Sequence, residues 1–70
     1  MTVKEIIFVV EETDDGGYTA SALGHSIFTE AEDWEGIKDM IRDAVKCHFD
    51  EEDRPQIIHI HAVREESLAV

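Results

Sequence analysis

The spacing of hydrophobic and polar positions changes along the chain, and it predicts one helix among several strands. From Asp33 to Phe49, apolar side chains recur at helical spacing and fall within one arc of a helix. The arc consists of Trp34, Ile37, Ile41, Ala44, Val45 and His48, with Met40 and Cys47 at its margin. The pattern therefore predicts a single amphipathic helix that packs against one surface.

The ends of this helix are marked by polar residues. Asp33 is the predicted N-cap, because its carboxylate can accept a hydrogen bond from a free amide of the first turn. Thr29 with Glu32 forms a rival capping box, but a helix starting there would consume part of a predicted strand. The acidic run 50–53 and Pro55 end the helix, since the residue before proline disfavours helical backbone.

The remaining apolar segments predict four strands. The run of β-branched and aromatic residues from Ile6 to Val10 is apolar on both sides, which is typical of a central strand. The acidic and glycine residues 14–17 that follow predict a hairpin turn. A phosphate-binding loop is not expected there, because carboxylates flank the glycines. The predicted strands are Val3–Glu12, Tyr18–Leu23, His25–Glu30 and Gln56–Arg64.

These elements predict a two-layer α+β domain with the order β-β-β-α-β. The helix returns the chain to the start of the sheet, so the fourth strand runs parallel to the third and joins the first, which gives the sheet order 3-2-1-4 and a right-handed crossover. The fourth strand alternates, with Ile58, Ile60 and Ala62 facing the helix and Ile57, His59, His61 and Val63 on the other face. The small residues at positions 20–22 leave room for a bulky side chain, either Trp34 or Phe28.

The length of 70 residues predicts one domain, 1–70, in which residues 66–70 form a flexible tail. A chain this short buries only about 60% of its unfolded surface, and its single cysteine, Cys47, cannot form an intrachain disulfide. We therefore expect a homo-oligomer, most simply a dimer. The expected interface lies on the second face of the sheet and comprises Ile7, Val9, Ile57, His59, His61 and Val63.

Charge narrows the range of partners. Seventeen acidic and six basic residues give a net charge of −11, which repels phosphate backbones and makes direct nucleic-acid binding improbable. A basic protein partner is favoured, although acidic excess can also serve solubility alone. No secretory signal or apolar stretch of membrane-spanning length is evident, so we expect a cytoplasmic protein that does not enter a membrane.

Two groups of residues could carry chemistry. His59 and His61 project from the same side of a strand and could share a metal ion, with His25 as a third ligand, because zinc needs three or four. The simpler interpretation places this pair at an oligomer interface or on a solvated surface. Cys47 and His48 are adjacent, but neighbouring helical residues point about 100° apart and do not form a catalytic pair.

The chain also resembles the HicB-like antitoxin family. The resemblance covers roughly the first fifty residues, through the segments Gly16–Ala20, Gly24, Thr29–Ile37 and Ile41–Val45, and it fits the last strand. It implies a partial ribonuclease H-like fold and a partner that is a small, basic, RNA-cleaving toxin of the HicA type. The chain departs from the family at Ala31, where a glycine is usual, and it carries no C-terminal DNA-binding segment, so repression by this chain alone is not expected.

Taken together, these patterns predict a protein-interaction module that is not an enzyme and needs no cofactor. Magnesium-dependent cleavage of the ribonuclease H type is improbable, because the central run Ile6–Val10 contains no carboxylate. The alternative is a small metal- or ligand-binding domain that uses His59 and His61.

Overall fold

A computed structural model of the protein describes residues 4–63 and 67–70. It contains one four-stranded sheet and one helix, in the order β1 (Glu5–Glu12), β2 (Tyr18–Ala22), β3 (Phe28–Ala31), α1 (Trp34–His48) and β4 (Ile57–Val63). The strand order is β3-β2-β1-β4, with β4 parallel to β1 and the other pairs antiparallel. The predicted α+β fold and sheet order are confirmed.

The strand ends differ from the prediction by a few residues. β3 starts at Phe28 rather than His25, because a turn at Gly24, with φ of +79°, occupies the preceding residues. The amide of Ala22 donates to the carbonyl of Ile27 across this turn, at 3.1 Å. The predicted ends at Val3 and Arg64 lie outside the described residues.

The hairpin between β1 and β2 turns where the sequence predicts it. Gly16 has φ of +88°, a conformation that glycine adopts without strain. At Gly17, a Cβ atom would lie 3.0 Å from the backbone oxygen of Ala31, so a side chain there would crowd the end of β3. The hairpin turn and β3 therefore meet at one end of the sheet.

The helix is capped as predicted. The Asp33 carboxylate accepts a hydrogen bond from the amide of Gly36 at 2.6 Å, whereas Thr29, the rival cap, is buried within β3. At the other end, the amide of Phe49 donates to the carbonyl of Val45 at 3.1 Å. The helix carries two salt bridges on its exposed side, from Lys38 to Glu35 and from Arg42 to Asp39.

One face of the sheet, which we call the covered face, packs against α1. Phe8 and Ile37 are completely buried at its centre. The remaining buried apolar residues are Ile6, Val10, Ala20, Ala22, Ile27, Ile41 and Val45. The helix lies over β2 and β3, so β4 is poorly covered: Ile58 and Ile60 are half-buried and Ala62 is exposed.

Three side chains occupy positions other than those predicted. Trp34 is 37% exposed and packs edge-on against Tyr18, while Phe28 is 67% exposed and lies on the opposite face of the sheet. Ala20 and Ala22 are therefore not covered by Phe28. His48 is exposed, because the apolar face of the helix ends with Val45.

Residues 67–70 form neither helix nor strand, and residue 66 lies outside the described part of the chain. Within residues 4–63 and 67–70, the helix is too short and too polar to cross a lipid bilayer.

Candidate functional site

The face of the sheet that α1 leaves uncovered, which we call the open face, is rich in exposed apolar side chains. Strand alternation directs to it Glu5, Ile7, Val9, Glu11, Thr19, Ser21, Phe28, Glu30, Ile57, His59, His61 and Val63. Val63 is 50% exposed and Ile57 is 41% exposed, while Ile7 and Val9 on the neighbouring strand β1 are half-buried. Leu23 extends this surface beyond β2 and is 54% exposed. Such a surface is typical of a protein contact.

The strand register places His59 and His61 midway along β4, at one edge of this surface. His59 lies opposite Ile7, and His61 lies opposite Val9. A ring nitrogen of His59, Nε2, is 3.0 Å from the carboxylate oxygen Oε1 of Glu5. One of the two imidazoles is therefore held in place by a carboxylate, as the histidine ligands of metal sites commonly are.

The third histidine of the predicted metal site does not lie beside His59 and His61. His25 packs edge-on against Phe49, with ring centroids 5.2 Å apart, and against His48 at 6.1 Å, near the C-terminal end of α1. Among residues 4–63 and 67–70, no three histidine, cysteine or acidic side chains are grouped so that they could hold a metal ion. Within one chain, the described residues do not provide the third ligand that the metal-binding alternative requires.

The residues at the end of α1 form an aromatic cluster. His48 packs edge-on against Phe49 at 4.9 Å as well as against His25, while Cys47 is exposed. The His48 ring therefore packs against these two aromatic rings.

A groove at the other end of the sheet, which we call the acidic groove, was not predicted from the sequence. It has a volume of about 670 Å³ and is lined by Thr13, Asp15, Gly17, Tyr18, Glu30, Ala31 and Glu32. Three of these seven residues carry carboxylates and none carries a positive charge. Trp34 stands beside the groove with its ring 5.5 Å from that of Tyr18.

The acidic groove results from the antiparallel register, which brings Tyr18 opposite Ala31. This pairing places the hairpin carboxylate of Asp15 near Glu30 and Glu32, although fifteen residues separate Asp15 from Glu30. The sequence contained part of the signal, because the predicted hairpin and third strand are neighbours, but the register that brings Tyr18 opposite Ala31 does not follow from those predictions.

Asp15 is held in its charged form. The Thr13 hydroxyl donates a hydrogen bond to the Asp15 carboxylate, and this bond, together with the Gly17 amide, lowers the pKa of Asp15 below its ordinary value. The carboxylate is fully exposed. It therefore presents a fixed negative charge at the hairpin turn.

The acidic run after the helix is partly neutralised. The Lys4 ammonium contacts the Asp53 carboxylate at 3.3 Å and donates to the carbonyl oxygen of Glu52. Arg54 donates to the carbonyl oxygen of Lys46. This end of the molecule mixes both signs of charge, in contrast to the acidic groove.

The relatives of the chain define its family. A UPF0150 protein of Archaeoglobus fulgidus is 64% identical over 55 residues, which cover 79% of this chain and 82% of the relative. A Thermotoga maritima protein with the same name is 46% identical over 69 residues, covering 99% of this chain and 97% of the relative. The chain belongs to the UPF0150 family.

Family models and solved structures do not extend the UPF0150 assignment. No protein-family model matches the chain, and no solved structure gives a significant match. The names of the UPF0150 relatives state no activity or partner. Any functional conclusion therefore depends on the surfaces described above.

Proposed function

We propose that the chain is a non-enzymatic protein-interaction module of the HicB-antitoxin type, which self-associates and binds a basic, toxin-like protein in the cytoplasm. The observation that carries this proposal is the open face, where Phe28, Leu23 and Val63 are each at least half exposed. A small domain becomes more stable when another protein covers such an apolar surface.

Self-association is assigned to the side of the open face formed by β1 and β4. This side comprises Ile7, Val9, Ile57, His59, His61 and Val63. The last four belong to the edge strand β4, which can pair directly with a further strand, while Ile7 and Val9 lie behind them on β1. The half of the surface near β3, which includes Phe28, is left available for a different partner.

The acidic groove is the proposed contact for the basic partner. Its three carboxylates line the same groove as Tyr18, whose ring packs edge-on against Trp34, and interfaces commonly combine an aromatic anchor with a polar rim. Opposite charge across an interface raises the rate of association and selects the partner. A small basic toxin of the kind that HicB-like proteins neutralise has the required charge.

The partner is sought as a small basic protein encoded beside this chain's gene, and the absence of such a gene together with no capture of a basic protein by this chain would contradict the proposal. We expect the two to co-purify and their association rate to fall as salt rises. The triple substitution D15N/E30Q/E32Q should lower the association rate at least tenfold. The matched variant D50N/E51Q/E52Q removes three charges at the opposite end and should change it less than twofold. Equal losses in both variants would show that net charge alone matters, which would contradict the acidic groove as the contact.

Self-association is tested separately by sedimentation equilibrium. We expect a dimer at micromolar concentration, and the double substitution I57K/V63K should weaken it at least tenfold. Phe28→Lys introduces a similar charge on β3, the part of the open face away from β4, and should leave the dimer intact. A wild-type protein that is still monomeric at a concentration 100 times higher than the micromolar range would refute the proposed self-association.

A further inference from the structure

The outer edge of β4 can accept another strand. β4 has β1 on one side, and no described strand pairs with its other side. Its seven residues, Ile57–Val63, include no proline, lysine or acidic residue, which are the residues that natural proteins use to keep edge strands apart. For a chain with a net charge of −11, this uncharged edge is also a place where a second copy approaches with little local repulsion.

The backbone of β4 presents its free groups in alternation. The amide of Ile57 donates toward β1, to the carbonyl of Lys4 at 3.3 Å. Alternation along a parallel strand then directs the amide and carbonyl groups of Ile58, Ile60 and Ala62 to the outer edge. These are the groups that a second strand would engage.

A second copy of the chain fits this edge with two-fold symmetry. The antiparallel register that pairs all seven residues places Ile60 on the axis and Ile57 opposite Val63 of the second copy. Both helices then lie on the same side of a continuous eight-stranded sheet and are kept apart, because α1 packs over β2 and β3. The half-buried Ile58 and Ile60, together with Ala62, gain cover across the junction.

We propose that two copies pair through β4 in this register, and that His59 and His61 of both copies together form a binding site for a divalent transition metal such as Zn²⁺. The site rests on the self-association in the proposed function and is incomplete in a single chain. It supplies four imidazoles, where one chain offers two.

The register brings the four histidines together on the open face. His59 lies opposite His61 of the second copy in a pair without direct backbone hydrogen bonds, for which Cβ atoms are about 5 Å apart. The two such pairs are neighbours on the same face of the sheet. Imidazole nitrogens are suitable ligands for Zn²⁺, Ni²⁺ and Cu²⁺, and zinc takes four ligands in tetrahedral sites.

Glu5 already supports one ligand in each copy. Its carboxylate lies 3.0 Å from Nε2 of His59, which leaves Nδ1 of that ring as the ligand atom. Carboxylates in this position orient metal-bound histidines and make them better donors. The acidic surface of the chain adds a general attraction for cations.

Metal binding is tested with Zn²⁺ added to chelator-stripped protein and followed by calorimetry, with Co²⁺ absorption as a probe of tetrahedral geometry. We expect one metal ion per two chains, and His59→Ala or His61→Ala should weaken binding at least 100-fold. Glu5→Gln should weaken it about 10-fold. His25→Ala is the matched control and should have no effect. Binding of one ion per chain, no saturable binding, or an equal loss in the control would overturn the site.

The register is tested without metal by oxidative cross-linking in a Cys47→Ser background. In C47S/I60C, the two cysteines of a dimer face each other across the axis at about 5.5 Å between Cα atoms, within the range for a disulfide. In C47S/I58C, the matched control, the two cysteines are four residues out of register and about 13 Å apart along the strands. We expect rapid cross-linking of the first variant only. Equal rates would overturn the register.

The two experiments separate this inference from the proposed function. Selective cross-linking through position 60 without saturable Zn²⁺ uptake would overturn the metal site and leave self-association intact. A chain that is monomeric both with chelator and with Zn²⁺ would overturn self-association and the metal site together. Binding of the basic partner at the acidic groove is measured independently of both.

Discussion

Both faces of the sheet carry large apolar side chains, but the two faces differ in whether those side chains are buried. On the covered face, Phe8 is completely buried against the helix layer, while on the open face Phe28 is 67% exposed. Both belong to strands of one sheet, and both are phenylalanines. The difference shows that burial of an apolar residue here depends on where α1 crosses the sheet, and that the uncovered part is available for association.

The largest difference in stability is expected when one phenylalanine on each face is truncated to alanine. Phe8→Ala should lower the free energy of unfolding by about 3–5 kcal/mol, because it leaves a cavity in the core. A core of this size contributes little more than that, so the variant should be largely unfolded. Phe28→Ala should change stability by less than about 0.5 kcal/mol. Urea denaturation followed by circular dichroism measures both, and similar losses would show that the open face is also part of the core.

The cap at Asp33 stabilises the start of α1. Removing this cap is expected to give the second largest loss in the free energy of unfolding. Asp33→Ala should cost about 1 kcal/mol, because the Gly36 amide loses the hydrogen bond that it now donates at 2.6 Å. Asp43→Ala, at an exposed position in the middle of the same helix, is the control and should cause no loss. Equal destabilisation in the two variants, measured by urea denaturation, would contradict a specific capping role.

The covered face could be predicted from the sequence because its determinants are local. The helical period of Ile37, Ile41 and Val45, the cap at Asp33 and the apolar run of β1 each indicate one element and one orientation. The strand order follows from those elements and from the parallel return of β4. The metal, oligomer and partner assignments stay predictions.

Features that depend on the position of the helix could not be predicted in this way. Periodicity shows which side of α1 is apolar, but it does not show that α1 crosses β2 and β3 and leaves β4 exposed. Phe28 was ambiguous because Ile27 beside it is equally apolar, so alternation alone did not show which of the two is buried. The acidic groove required the strand register, which connects residues far apart in sequence.

A smaller effect on stability is expected on the solvent-exposed side of α1, where side chains are not covered by another part of the fold. Arg42 and Asp39 form a salt bridge of 2.9 Å, but both side chains are more than half exposed. A double-mutant cycle with Arg42→Ala and Asp39→Ala should give a coupling energy of only about 0.2–0.5 kcal/mol, reduced further by salt. A coupling above about 1 kcal/mol would show that exposed contacts contribute more to this fold than the comparison of the two faces implies.

The smallest effect on stability is expected at the hairpin turn, which lies outside both faces of the sheet. The Thr13 hydroxyl lowers the pKa of Asp15 in the folded chain, so this carboxylate stabilises the fold above its ordinary pKa. That contribution is lost as the pH falls through the lowered pKa. Thr13→Val removes the hydroxyl donor, so the pKa of Asp15 should rise toward its ordinary value and the hairpin should lose part of this acid dependence.

Thr13→Ser keeps a hydroxyl at the same position and is the matched control, so the pKa of Asp15 should stay lowered in that variant. An NMR titration of the Asp15 carboxyl carbon measures the pKa in all three proteins. The amide of Gly17 also donates to this carboxylate, so the pKa in Thr13→Val should move only part of the way to its ordinary value. An Asp15 pKa as low in Thr13→Val as in the wild type would assign the whole shift to the backbone of the turn and remove Thr13 from the acidic groove's electrostatics.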